Sequence, residues 1–136
     1  MWRGILFAML LAGCGQLPPT PEEIQSKKFQ TVPDKAVIYI VRTPMDSHEA
    51  GAITLDGNPI TTYARSFYRW EVSPGQHRIA GYAGENGLVD LDTQAGHIYF
   101  VEHSVYGTPR SGWQASFLQR ISENEGRLLV SEASLL

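Results

Sequence analysis

Ala36–Thr43 reads A-V-I-Y-I-V-R-T, and Pro44 follows it. The run is β-branched and aromatic, and its apolar residues are successive rather than alternate. A strand of that kind has both faces covered, so it belongs at the centre of a sheet. Pro44 ends it, because proline has no N–H to give to a ladder.

Outward from this strand the chain breaks into short runs separated by turn residues. Ala52–Asp56 (AITLD) closes on Asp56-Gly57-Asn58, a tight-turn signal. Phe67–Val72 (FYRWEV) alternates, with Tyr68, Trp70 and Val72 on one face and Phe67, Arg69 and Glu71 on the other. Ser73-Pro74-Gly75-Gln76 sets Pro and Gly where a type II turn requires them. His77–Ala83, Leu88–Thr93, His97–Val105 and Trp113–Ile121 follow, divided by Gly-rich turns and the loop Tyr106–Gly112. Turns recur about every 8 to 12 residues, the spacing of a sandwich or barrel. The connections are too short for parallel crossovers. Ser122-x-x-Glu125 forms a capping box that opens a helix over Glu123–Ser131, against which Gly126 counts. The expected fold is all-β: an antiparallel β-sandwich of about seven short strands with a short C-terminal helix, occupying residues 36–136.

The 136 residues suit one domain, and 43% hydrophobic with 18% charged residues is a globular composition. A net charge of -3 argues against nucleic-acid binding by bulk charge. The single Cys excludes an intramolecular disulfide and a cysteine metal cluster.

That cysteine lies in a distinctive context. Met1-Trp2-Arg3 supplies one positive charge, Gly4–Gly13 is uncharged and mostly apolar, and Leu11-Ala12-Gly13-Cys14 ends the run. The apolar stretch is far shorter than the ~20 residues of a spanning helix and has the order of a secretory signal. Its end resembles the lipobox of bacterial lipoproteins, which implies cleavage before Cys14 and a thioether lipid on its sulfur. Residues 1–13 are then a signal peptide. A processed lipoprotein carries two or three acyl chains, enough for stable anchoring at about 0.8 kcal/mol per buried CH2. Gly15, rather than Asp, follows the Cys, which by the same resemblance implies the outer membrane facing the periplasm. The lipidated Cys14 and residues up to 35, with four Pro and no sustained period, read as a flexible tether, in which Ile24 and Phe29 could form a short helical turn that nothing demands.

Several marks recur together: the lipobox, Val37–Arg42, the Leu55-Asp56-Gly57 turn, Ser73-Pro74-Gly75-Gln76-His77 and Gly96–Val101. In these the chain resembles a family of small bacterial lipoproteins, domain-of-unknown-function 2846, over roughly Ala36–Val130. Ile53–Ala83 also resembles a PEGA-type β-module, marked by its D-G and P-G-x-H turns. The resemblance implies a fold and an anchored location. It implies no activity, cofactor or catalytic residue.

Four His raise the question of a metal. His97 and His103 share a strand face but stand ~20 Å apart at ~3.3 Å per residue, too far for one ion. His77, in the P-G-x-H turn, has a structural use as a partner for turn backbone. Asp90 and Asp92 share a face ~6.6 Å apart, a spacing that suits a two-carboxylate hydrolase and equally a charge guard on an edge strand. No nucleophile elbow, phosphate loop or zinc-protease motif is present in the sequence. No metal or cofactor is expected. Most of Tyr63, Phe67, Tyr68, Trp70, Tyr82, Tyr106 and Trp113 are expected in the core.

The loop from Tyr106 to Trp113 is different. Tyr106, Arg110 and Trp113 stand among Gly, Pro and Ser, and Tyr, Trp and Arg are the usual anchors of binding surfaces. These three are the candidate partner-binding residues, with Pro44–Gly51 a second candidate loop. The expected function is a lipid-anchored envelope binding module, its partner an envelope protein or ligand. The alternative is a small periplasmic hydrolase using His77 or the Asp pair.

Overall fold

The structure is a computed structural model that describes residues 17–43, 46–81, 87–108, 110 and 113–136, the side chain of Trp113 excepted. The chain order is α1 (Pro21–Ser26), β1 (Ala36–Arg42), β2 (Gly51–Leu55), β3 (Asn58–Thr62), β4 (Ser66–Val72) and β5 (Gly75–Ala80). It continues with β6 (Leu88–Thr93), β7 (Ile98–Thr108), β8 (Trp113–Ile121), α2 (Glu123–Ser131) and β9 (Ser134–Leu135). One sheet has the order β8-β7-β1-β4-β9 and the other β3-β2-β5-β6. The protein is mostly β, and the two sheets pack as a sandwich.

The central strand is where its sequence puts it. β1 is buried at all seven positions. Ile38 and Ile40 pack with Ile53, Leu55, Ile79, Leu91, Val101 and Leu118 between the sheets. Val37, Tyr39 and Val41 face the other way, into a second cluster with Phe67, Phe100, Val130 and Ala133. The helices cover that outer face, so the second cluster is what makes β1 apolar on both sides. Each fully buried Ile, Val or Phe contributes roughly 1.5–3 kcal/mol to such a core.

Three expectations need correction. First, the described residues form nine strands rather than seven. β3 follows β2 through Asp56 and Gly57, whose φ angles of 50° and 84° are those of a two-residue hairpin turn. Pro59 sits in β3, which is tolerated because β3 is an edge strand. Second, the sandwich is not wholly antiparallel. β1 and β7 are parallel neighbours from Val37 opposite Ile98 to Arg42 opposite His103, and β9 runs parallel to β4. Short links forbid parallel pairing only between successive strands; here the crossover from β1 to β7 contains the whole second sheet.

Third, the stretch expected as a tether over 14–35 is folded from α1 onward. Thr20 Oγ1 caps α1 by accepting the Glu23 N–H at 3.1 Å. Tyr39 Oη donates to the Ser26 carbonyl at 2.7 Å, and the Phe29 ring lies 5.4 Å from Tyr39 and 5.9 Å from Phe100. At the C-terminal side, α2 has the expected bounds, and Ser122 Oγ accepts the Glu125 N–H at 3.3 Å. No helix among the described residues is long and apolar enough to cross a membrane.

The molecule has two distinct ends. The turn end carries Asp56-Gly57, Ser73–Gly75 and Gln94–Gly96. The loop end, beyond Arg42, carries the loop after β1, the β3–β4 loop at 63–65 and the β7–β8 hairpin.

Candidate functional site

Arg42 closes β1 and is 2% exposed. A guanidinium has five donors, and burial requires each to find an acceptor. Nε donates to Asp46 Oδ2 at 2.9 Å, one terminal nitrogen to the Thr62 carbonyl at 3.2 Å, and the other to the Ser47 and Glu49 carbonyls at 2.8 and 3.0 Å. The same Asp46 oxygen accepts the Val105 N–H at 2.9 Å, and the Ser47 N–H donates to the Val105 carbonyl at 3.2 Å. Arg42 therefore fastens the described residues of the Pro44–Gly51 loop to the middle of β7. Gln114 of β8 adds a bond from Nε2 to the Ala50 carbonyl at 3.0 Å.

This clamp joins the two loops that the sequence singled out separately. Tyr106 is 52% exposed on β7, and Arg110 is exposed beyond it. Gly107 has φ 77°, a left-handed bend inside the strand that a side chain would strain. Trp113 pairs through its backbone with Thr108, and its side chain is outside the described residues. An open groove of about 380 Å³, lined by Ala50, Gly51, Ala52, Thr61 and Gln114, lies beside the hairpin.

Behind the groove is His103, fully buried. Its Nδ1 is 3.1 Å from Thr62 Oγ1 and its Nε2 3.1 Å from Ser116 Oγ. A hydroxyl beside an imidazole is the pairing used by nucleophilic enzymes. Here three facts oppose that use. Burial, helped by the charge of Arg42, lowers the His103 pKa to about 3, so the ring is a poor proton acceptor. Its second nitrogen meets a hydroxyl instead of a carboxylate. Ser116 is 3% exposed and faces Gly81 so closely that a Cβ there would collide with its side chain. The trio is a satisfied buried network joining the sheets; among the described residues no buried side-chain polar atom lacks a partner.

His77 is at the opposite end. Nε2 lies 2.6 Å from the Ser73 carbonyl, and Nδ1 lies 2.6 Å from Asp56 Oδ2. The turn-backbone role holds, and both ring nitrogens are engaged. Burial would raise the Asp56 pKa, but the Arg78 N–H and the His77 ring outweigh it and hold the carboxyl below its usual range. Asp90 forms a two-point pair with Arg78 on β5, at 2.8 and 3.1 Å, while Asp92 is exposed opposite Gln76. The two carboxylates do not form a shared site. No three His, Cys, Asp or Glu among the described residues converge on a possible metal position.

Of the aromatic residues, Phe67 is buried in the outer cluster, Tyr68 and Trp70 pack in part against the core between the sheets, and Tyr63 is 55% exposed. Tyr82 lies outside the described residues, as do Cys14 and the lipobox. Sequence reading passed over Arg42 and Asp46. Their signal was an arginine continuing a fully apolar strand, which requires a carboxylate close by.

The fold and the site together define a two-sheet β-protein with one braced, outward-facing loop end. No family model matches the chain, and no curated protein is significantly similar to it.

Proposed function

We propose that this chain is a cell-envelope lipoprotein, anchored through a lipid on Cys14 and related to the domain-of-unknown-function 2846 lipoproteins, whose β-sandwich is a binding module. Its anchor keeps it at the membrane, in the outer membrane facing the periplasm, and its loop end makes the contact, through Tyr106, Arg110 and Trp113. The observation that carries this reading is the buried Arg42 clamp. It ties the loop after β1 to β7 at Val105, so that exposed Tyr106 stands on a braced strand, with Arg110 exposed beyond it. Rigid presentation of Tyr and Arg is what an anchoring surface requires. His103 and the two hydroxyls that it meets, those of Thr62 and Ser116, are sealed from substrate.

Two measurements test it. Growth with labelled palmitate should label the wild-type chain and not Cys14→Ser, and the variant should leave the membrane fraction. Crosslinking at position 106 in intact cells should give adducts, to an envelope protein or to lipid, that depend on Arg110. A Cys14→Ser protein that is still processed and membrane-bound sinks the anchor; crosslinks unaffected by Arg110→Ala sink the loop.

A further inference from the structure

The chain enters α1 at the loop end of the molecule. Glu23 Oε1 in α1 accepts the Leu135 N–H at 2.8 Å. Leu135 is opposite Phe67, and Phe67 is opposite Val41, the penultimate residue of β1. Glu23 thus stands level with the loop end of the sheet. From there the chain descends the outer face, past Tyr39 at Ser26, to the turn end, where the Lys35 carbonyl accepts the Gly96 N–H at 2.8 Å. Its N-terminal approach, Thr20, is therefore at the loop end. Thr20 is only six positions after Cys14. Fully extended, that stretch reaches at most about 20 Å.

Two loops at this end offer the same pair of side chains. The β3–β4 loop carries Tyr63, 55% exposed, and Arg65; the β7–β8 hairpin carries Tyr106, 52% exposed, and Arg110. Both arginines are exposed, and neither makes an ion pair with any described residue. Tyrosine favours the headgroup level of a bilayer, and arginine pairs with phosphate through its planar fork. Glu22, Glu49 and Glu132 are also exposed there, so the attraction is to individual phosphates rather than through a uniform basic field. The exposed Asp34, Asp56 and Asp92 lie at the turn end, where they face away from such a surface.

We infer that the loop end, through Tyr63, Arg65, Tyr106 and Arg110, rests on the phospholipid headgroups of the bilayer that holds the lipid on Cys14. The inference rests on the lipoprotein reading and names the partner of the same loop end. A short tether attached at that end brings these loops to the surface and points the turn end into the periplasm.

The test uses the lipidated full chain in protein-free vesicles of phosphatidylethanolamine and phosphatidylglycerol. Nitroxide labels are placed through Tyr63→Cys, Tyr106→Cys and, at the turn end, Gln94→Cys, with Cys14 blocked by its lipid. Circular dichroism confirms that each variant is folded. Labels at 63 and 106 should be at least threefold less accessible to a water-soluble relaxant in vesicles than in the detergent-free Cys14→Ser chain, with no change at 94. Binding of the unlipidated chain to the same vesicles should fall about fivefold for each of Arg65→Gln and Arg110→Gln. Equal water exposure at 63, 94 and 106 in a lipidated, vesicle-bound chain overturns the inference and leaves the anchor intact. Protection that arises only when an envelope protein is added also overturns it, in favour of a protein partner. A chain recovered without lipid overturns the lipoprotein reading itself.

Discussion

Arg42 and Asp46 form an ion pair at 2.9 Å with side chains only 1% and 2% exposed. Four residues apart in sequence, they belong to a strand and the loop that leaves it. The pair is not an isolated bond. Asp46 also accepts the Val105 N–H, and Arg42 donates to three loop or strand carbonyls. A buried pair of this kind is weak evidence of net stabilisation, because desolvation offsets the attraction; its removal from one side is costly.

Asp46→Ala is therefore expected to cost about 3–5 kcal/mol, since it leaves the Arg42 charge buried without a counter-ion. Urea unfolding at neutral pH measures it. Asp46→Asn, which keeps an acceptor oxygen, should recover part of that loss. A cost under about 0.5 kcal/mol for Asp46→Ala, the range of ordinary surface changes, would remove the clamp from the account of the loop end.

His103 sets a pH dependence with a definite sign. In the unfolded chain it titrates near 6.5, while in the folded protein its pKa is lowered to about 3. Below 6.5 the unfolded state takes up a proton that the folded state refuses, so stability falls with falling pH, down to about pH 3. Between pH 7 and pH 5 the loss should be about 2 kcal/mol. Asp56, held low, contributes with full effect above about pH 4 and loses it only as pH falls further, so between pH 7 and 5 the slope comes from His103 and not from Asp56. His103→Gln should flatten the slope between pH 7 and 5; a slope unchanged by that substitution would contradict the assignment.

Much of the fold was legible because local rules and packing agree there. β1 was recognisable from its unbroken apolar run, and β6, β8 and α2 have the bounds their turns and caps indicate. β3 was missed because Asn58 and Pro59 are poor strand formers, although Asp56-Gly57 is a hairpin signal that calls for a returning strand. α1 was read as tether because its stretch is polar and proline-rich. Thr20-Pro21-Glu22-Glu23 nevertheless has the cap, first-turn proline and acids of a helix start, and Phe29 and Val32 are the apolar residues that dock its exit. The parallel pairing of β1 with β7 left no local mark, since it depends on how the second sheet folds over the first. At the candidate site, Tyr106 and Arg110 were singled out from composition alone, and the structure leaves both exposed. The tie between the Pro44–Gly51 loop and β7, beside Tyr106, was not legible, because it depends on where Arg42 points.

Gly126 tests packing against propensity. It sits in α2, where Ala is preferred by about 1 kcal/mol. A Cβ at this position would collide with the Phe100 ring in the outer core. Gly126→Ala should therefore destabilise the protein, by about 1–3 kcal/mol, despite its better helix propensity. Thermal unfolding gives the sign directly. A raised melting temperature would mean that Phe100 yields without cost and that α2 is not held as closely as its glycine implies.

The loop end should separate function from stability. Arg110 is exposed and makes no ion pair with a described residue, so nothing in the core depends on it. Arg110→Ala should leave the unfolding free energy within about 0.5 kcal/mol of wild type. The same holds for Tyr106→Ser, whose side chain is half in solvent on the outer face of β7. Contact with the proposed surface should nevertheless weaken, by about fivefold for the arginine, because a fork able to grip a phosphate with paired hydrogen bonds is lost. Asp46→Asn provides the contrast: it should lower stability and loosen the loop while leaving both contact side chains in place. If Arg110→Ala and Tyr106→Ser lower stability as much as the buried substitution does, these side chains serve the fold. If they alter neither stability nor contact, the exposed residues of the hairpin have no part in binding.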